Sequence, residues 1–202
     1  MRLIEPDETR MIDLPGVGPC PRPVDIDQRL TGFKRLKSLR IYRFQPGPPI
    51  HGDSEIDEVF ILPLSGAMEM EISGRDAFCG RISALGLNCA LYMAPHHAYR
   101  LSPADPVVVA YARAEALGTV PVQAVSGCES AGLAEHLCFR RLVLRAGERL
   151  EVGGEETLVH VIAGGVHGTD GAFGAGQTMA LAANEAGVLQ AASPTDLLIV
   201  SA

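Results

Sequence analysis

Gly47 to Gly66 reads GPPIHGDSEIDEVFILPLSG, and the fold is read from this stretch outward. A short extended run carrying His51 and Asp53 passes through the polar turn SEID into an apolar run, VFILPL, that stops at Gly66. Residues two apart in an extended chain point to the same side, so His51 and Asp53 address one spot. Glu58 reaches that spot once the chain has turned and entered the next strand. One imidazole and two carboxylates make a mixed nitrogen and oxygen set suited to zinc, manganese, iron or nickel. Without a metal, the same segment is an acidic exposed hairpin loop with one histidine in it.

Composition bounds what can surround such a site. The chain has 202 residues, 47% of them hydrophobic, enough for one large or two small domains with a real core. Seventeen basic residues against 24 acidic ones give a net charge of −7, with no block of Lys and Arg. Nucleic acid is not an expected partner, because phosphate contacts need a basic face. An anionic membrane surface is excluded on the same ground. Apolar runs are of strand length and MRLIEPDETR has no signal-peptide core, so the expected location is the cytoplasm. The five cysteines, Cys20, Cys79, Cys89, Cys128 and Cys138, are scattered and include no Cys-x-x-Cys pair. Reduced thiols are expected rather than a disulfide framework.

Along the chain, residues 1–37 form an arm whose PGVGPCPRPV segment excludes a regular helix or a central strand. DIDQRLTGFKRLK is a candidate short helix interrupted at Gly32. From Ser38, SLRIYRF, VFILPLSG, AMEMEISG, LNCALYMAP, HAYRL and PVVVAYAR read as short strands broken by Gly, Pro or Asp. AMEMEIS places Met68, Met70 and Ile72 on one side and Glu69 and Glu71 on the other, and is read as a hairpin with VFILPLSG, solvated on one face. Pro63 calls for an edge position or a bulge. Residues 114–136 are a linker rich in small and turn-forming residues, with one helical turn expected at its end.

After residue 137 the chain repeats itself. Glu58 and Gly66 recur as Glu156 and Gly164 at the same separation, and SPADPVVVAYA recurs as SPTDLLIVSA. Two copies of one strand order explain this, over residues 38–113 and 137–202. The second copy has no histidine in its RLEVGGEE loop. His160, four residues after Glu156 and near Glu151, is read chiefly as a hydrogen-bonded core histidine, with a degenerate site as the alternative.

The first stretch resembles the first signature of the cupin superfamily, in which a glycine, a His-x-His pair, a glutamate and a closing glycine follow one another. Asp53 stands at the second histidine, and the glutamate-to-glycine interval is one residue longer. MAPHHAYRLSP is similar to the second signature, Pro-x-Gly-x-x-His, with Pro95 in place, His97 at the glycine and Arg100 at the histidine. His96 or His97 would then supply the fourth ligand, and His97 lies closer to the inward-facing strand. The resemblance implies an all-β fold of two tandem cupin barrels, each a jelly roll or double-stranded β-helix, and a homodimer. It implies one divalent metal in the first barrel, held by His51, Asp53, Glu58 and His97.

EVFILPLSG and APHHAYRLSP are also similar to the 5-deoxy-glucuronate isomerase and 4-deoxy-uronate ketol-isomerase group. The second half resembles the C-terminal barrel of type I mannose-6-phosphate isomerases. The expected function is metal-dependent isomerisation of a sugar acid or related carboxylate, with Glu58 and Arg100 catalytic and Arg100 steering an anionic small-molecule ligand. The alternatives are a non-catalytic bicupin that binds a small molecule or oligomerises, and then an iron-dependent dioxygenase.

Overall fold

The computed structural model describes residues 1–85, 88–116, 120–127, 129–130, 136–169 and 171–202. The end of the linker, where a helical turn was expected, and Cys128 lie outside them. Two units, each of one large and one small antiparallel sheet, follow one another along the chain. In the first, the large sheet runs in the order Gln123–Ser126, Asn88–Met93, Asp57–Ser65, Val107–Glu115, Leu36–Phe44, Val24–Asp27. It faces a small sheet of Ile50–Asp53, Ala98–Pro103, Ala67–Ser73 and Phe78–Ser83. In the second, Arg2–Ile4, Thr178–Leu181, Thr157–Ala163, Thr195–Ser201 and Cys138–Leu144 face Arg149–Gly153, Ala186–Ala191, Gly165–Gly168 and Gly171–Gly174.

The arm is more ordered than its composition implied. Val24–Asp27 edges the first large sheet, Arg2–Ile4 edges the second, and Met11–Leu14 pairs with Gly18–Pro21 as a separate hairpin. The candidate helix is a single turn, Gln28–Thr31, capped by the Asp27 carboxylate and ended by Gly32 at φ 76°. No helix among the described residues is long and apolar enough to cross a membrane.

Strand alternation sorts the apolar residues into three cores. Val59, Ile61, Met68, Met70, Leu91, Met93 and Val109 fill the first unit. Val159, Val161, Phe173, Met179, Leu189 and Leu197 fill the second. The third core lies between the units, where Leu39, Ile41, Phe60, Leu62 and Tyr92 meet Phe139, Leu158, Leu198 and Val200. Ala110, Ala112 and Ala114 on this face have side chains small enough for the two large sheets to approach closely. Phe60 packs edge-on against Phe139 across the boundary, with centroids 4.9 Å apart.

Two expectations about the Asp57–Ser65 strand change. It is a central strand, so Pro63 does not mark an edge; it sits at a register shift against Val108 and Val109, where a ladder bond is already interrupted. It also does not form a hairpin with Ala67–Ser73. The chain crosses at Gly66 from the large sheet to the small one, although Met68, Met70 and Ile72 do alternate inward against exposed Glu69 and Glu71.

The repeated glutamates do the same job in both halves. Glu58 accepts from the Leu137 amide at 2.6 Å and from the Tyr92 hydroxyl at 3.2 Å. Glu156 accepts from the amides of Lys34, Arg35 and Leu36 at 2.6, 2.7 and 2.9 Å. Leu36 opens the first strand of the first unit after the arm, and Leu137 immediately precedes the first strand of the second after the linker. Each unit thus grips the leading strand of the other through one carboxylate. Burial pushes the Glu58 carboxyl above its usual range, opposed by the Leu137 and Tyr92 bonds.

His160 is 5% exposed, and burial lowers its pKa to about 4. The native state therefore holds it neutral while the unfolded chain protonates it near 6.5. Between pH 6.5 and 4 the unfolded chain binds more protons, so stability falls as pH falls, by about 3 kcal/mol at most. Urea midpoints across this window should slope less steeply for His160→Leu than for wild type. Equal slopes would remove His160 from the acid response.

Candidate functional site

The four expected metal ligands do not converge. In Ile50–Asp53, Ile50 points inward and His51 and Asp53 share the other side, the outer one, where both are exposed. The predicted common face is right and its direction is wrong. Gly52 turns inward, and a Cβ there would collide with the Tyr99 hydroxyl and ring, so Tyr99 fills the space that a ligand at this rung would need. The Asp53 carboxylate caps the Glu55 amide at 3.1 Å.

Glu58 shares its side of the strand with Phe60 and Leu62, facing the second unit rather than the barrel interior. His97 is buried, with Nδ1 2.8 Å from the Pro95 carbonyl and Nε2 accepting from the Asp76 amide at 3.4 Å, so it locks a turn. Neighbouring His96 is exposed at φ 64°. Arg100 lies on the outer face opposite His51 and pairs with Glu71 at 2.9 Å. It therefore steers nothing into the barrel.

The mouth of the first barrel is closed by its own side chains. The Tyr99 and Tyr111 rings lie 6.1 Å apart. The Tyr111 hydroxyl and Arg113 both donate to the Asp53 carbonyl, at 3.2 and 2.9 Å. Burial raises both phenols, which stay neutral and poor as metal donors. Asp57, buried beside them, is held by Lys37 and Arg113. No three His, Cys, Asp or Glu side chains among the described residues are grouped to hold a metal ion. The donor set at this mouth, neutral phenols and a carboxylate already paired with two cations, does not fit one.

The corresponding place in the second unit is a cavity of about 290 Å³. Ladder register relates the two mouths. Arg40 pairs with Tyr111 and Ser38 with Arg113 in the first unit, as Arg140 pairs with Ile199 and Cys138 with Ser201 in the second. Where the first unit carries Tyr111 and Arg113, the second carries the shorter Ile199 and Ser201, and space opens. The Arg140 guanidinium lines this space with no ion-pair or hydrogen-bond partner among the described residues, alongside Cys138, Thr157 and Ser201. Glu129, Glu151 and Glu155 line it too, all exposed. Burial raises the Cys138 thiol, helped by the charges of Glu155 and Glu58, so it is not an activated nucleophile.

Of these residues, the sequence singles out only Glu151, as a neighbour of His160, and Cys138, as one of five scattered thiols. The signal for Arg140 was the alternation of CFRRLVL, which puts an arginine on the same side as Leu142 and Leu144. An arginine in line with core leucines marks the end of a barrel where something polar is met.

Two tandem jelly rolls packed through their large sheets make a two-barrel cupin fold. Solved structures agree across the chain. The bacterial pirin YhhW of Escherichia coli, determined in complex with nickel(II), is similar at 12% identity and a TM-score of 0.74, covering 99% of this chain and 97% of that one. An oxalate decarboxylase of Bacillus subtilis is similar at 7% identity and a TM-score of 0.75, covering 100% of this chain and 77% of that one. The protein YhaK of Escherichia coli is similar at 18% identity and a TM-score of 0.66, covering 87% and 88%. Likeness at these identities is one of fold. No protein-family model matches the sequence, and no curated protein matches it.

Proposed function

We propose that the chain is a non-catalytic bicupin that binds a hydroxylated carboxylate, a sugar acid or its like, at the mouth of the second barrel. The observation that carries this reading is Arg140, a guanidinium with no partner among the described residues, set in a cavity whose other charged groups are the carboxylates of Glu129, Glu151 and Glu155. A carboxylate matches the guanidinium fork by two parallel bonds. Sugar hydroxyls then donate to Glu129, Glu151 and Glu155, which as carboxylates only accept. The cavity volume suits a molecule of one ring.

Isomerisation of such a molecule asks for more than this site holds. Besides a base, it needs a positive or donating group at the carbonyl oxygen as charge develops there. Among the described residues Arg140 is the only cation lining the cavity, and the ligand carboxylate occupies it. The fit of a divalent metal fails as described above, so the nickel of the pirin gives no step here. Binding without turnover is the reading that the geometry favours.

Calorimetric titration of chelator-treated protein with D-glucuronate tests it, with D-glucose as the control lacking a carboxylate. Glucuronate should bind, glucose should bind far more weakly, and Arg140→Gln should weaken glucuronate by about thirtyfold, the scale of a charge-assisted pair. No ketose should accumulate on prolonged incubation. Equal affinity for both sugars, or an unaffected Arg140→Gln variant, would overturn the assignment.

A further inference from the structure

His160, expected as a hydrogen-bonded core histidine, also faces a cavity. His160 lies on the face of Thr157–Ala163 opposite to Val159 and Val161, toward the first unit. There it lines a cavity of about 300 Å³ between the two units, with Val24, Ile41, Leu64, Val108 and Ile162 as apolar walls. This cavity shares no lining residue with the mouth of the second barrel. Nδ1 meets the Thr178 hydroxyl at 3.0 Å. Nε2 has no hydrogen-bond partner among the described residues. Nε2 is not sealed from solvent: it is reached through this cavity, so a ligand hydroxyl there takes the place of water at the ring nitrogen.

We propose that this cleft between the barrels binds a small, neutral, largely apolar molecule with one hydroxyl group, a phenol or similar alcohol, hydrogen-bonded to Nε2 of His160. A hydroxyl suits this nitrogen whichever tautomer Thr178 selects. If the Thr178 hydroxyl donates to Nδ1, Nε2 carries the proton and the ligand oxygen accepts; if Nδ1 donates, Nε2 accepts the ligand proton. A carboxylate is not matched. The imidazole is neutral, since burial holds its pKa near 4, and the cation at the rim, Arg43, is already paired with Glu8 at 3.0 Å. A charge brought among these walls would lose its water without gaining a counter-charge. The volume is at the lower end for ligand sites, which limits the guest to about one ring.

Phenol and toluene, equal in size and different in the hydroxyl, are the probes, titrated into full-length protein labelled with 15N-histidine and 13C-methyl groups. Phenol should move the Nε2 resonance of His160 saturably and bind about tenfold more tightly than toluene, the scale of one net hydrogen bond. His160→Leu should abolish that difference while the methyl groups of Val108 and Ile162 still respond to toluene. Val108→Phe, a change at the half-buried rim that leaves His160 intact, should abolish both responses by filling the cleft. The proposal fails if phenol leaves Nε2 unmoved up to its solubility limit. It also fails if exposed His51 and His167 move as much as His160, or if the preference for phenol survives in His160→Leu.

Discussion

Glu156→Ala should unfold at a much lower urea concentration than wild type, with a loss of about 2–4 kcal/mol. The carboxylate receives three backbone amides, those of Lys34, Arg35 and Leu36, at 2.9 Å or less. A hydrogen bond to a charged acceptor is worth about 1.5–3 kcal/mol, and a buried donor left without a partner carries its full desolvation cost. The Leu36 bond is buried, while the other two are part-buried and can recover some water, which keeps the total below three full bonds. Glu156→Gln keeps an acceptor oxygen and should lose about half as much. Glu58→Gln should be nearly neutral, because burial already disfavours its charged form and only two donors depend on it. If Glu156→Ala were as mild as Glu58→Gln, the reciprocal grip between the barrels would not be what joins them.

Gly164→Ala should be nearly as severe, about 2–4 kcal/mol, and worse than Gly66→Ala. Both glycines have positive φ, 82° and 73°, where a side chain costs about 1–2 kcal/mol. Each also sits against the residue that precedes the next long strand of its large sheet. A Cβ on Gly164 would lie 2.5 Å from the Pro194 carbonyl oxygen and 2.9 Å from the Thr195 Cα, whereas one on Gly66 would lie 2.9 Å from the Pro106 oxygen. Backbone on both sides cannot yield as a flexible side chain would. Gly147→Ala separates the two effects, since Gly147 has φ 83° and nothing within 4 Å. Urea denaturation should rank the three losses Gly164, Gly66, Gly147; Gly147 in first place would mean that close approach at the repeat contributes little.

The repeat was legible because both its anchors have backbone causes. Glycines at positive φ and glutamates that receive amides of the other unit tolerate few substitutes, so they stand out in sequence as a pair at a fixed interval. The site was not legible, for a reason located in one strand. Asp57–Ser65 is buried on both faces, from Asp57 to Leu64 without a break. An apolar run of that kind carries no parity, so nothing in EVFILPL tells whether Glu58 looks into its own barrel or out at the next. His51 and Asp53 were correctly placed on one side of their strand, but IHGD has a single apolar residue to set the direction. Gly52 and Tyr99, distant in sequence, decide it by filling the inside. In the second half the same alternation is readable in CFRRLVL, where Arg140 falls in line with leucines; the lack of a histidine in the RLEVGGEE loop drew attention away from it.

Ligand should be met at the mouth of the second barrel by Arg140, without a metal, while the mouth of the first is closed by Tyr99, Tyr111 and Arg113. Amide chemical-shift mapping with D-glucuronate in the presence of a chelator tests this most directly. Saturable shifts are expected at Val152, Thr157 and Ser201, with Gly52, Tyr99 and Tyr111 unmoved. Shifts centred on Gly52 and Tyr99, or binding that appears only when a divalent metal is restored, would contradict it.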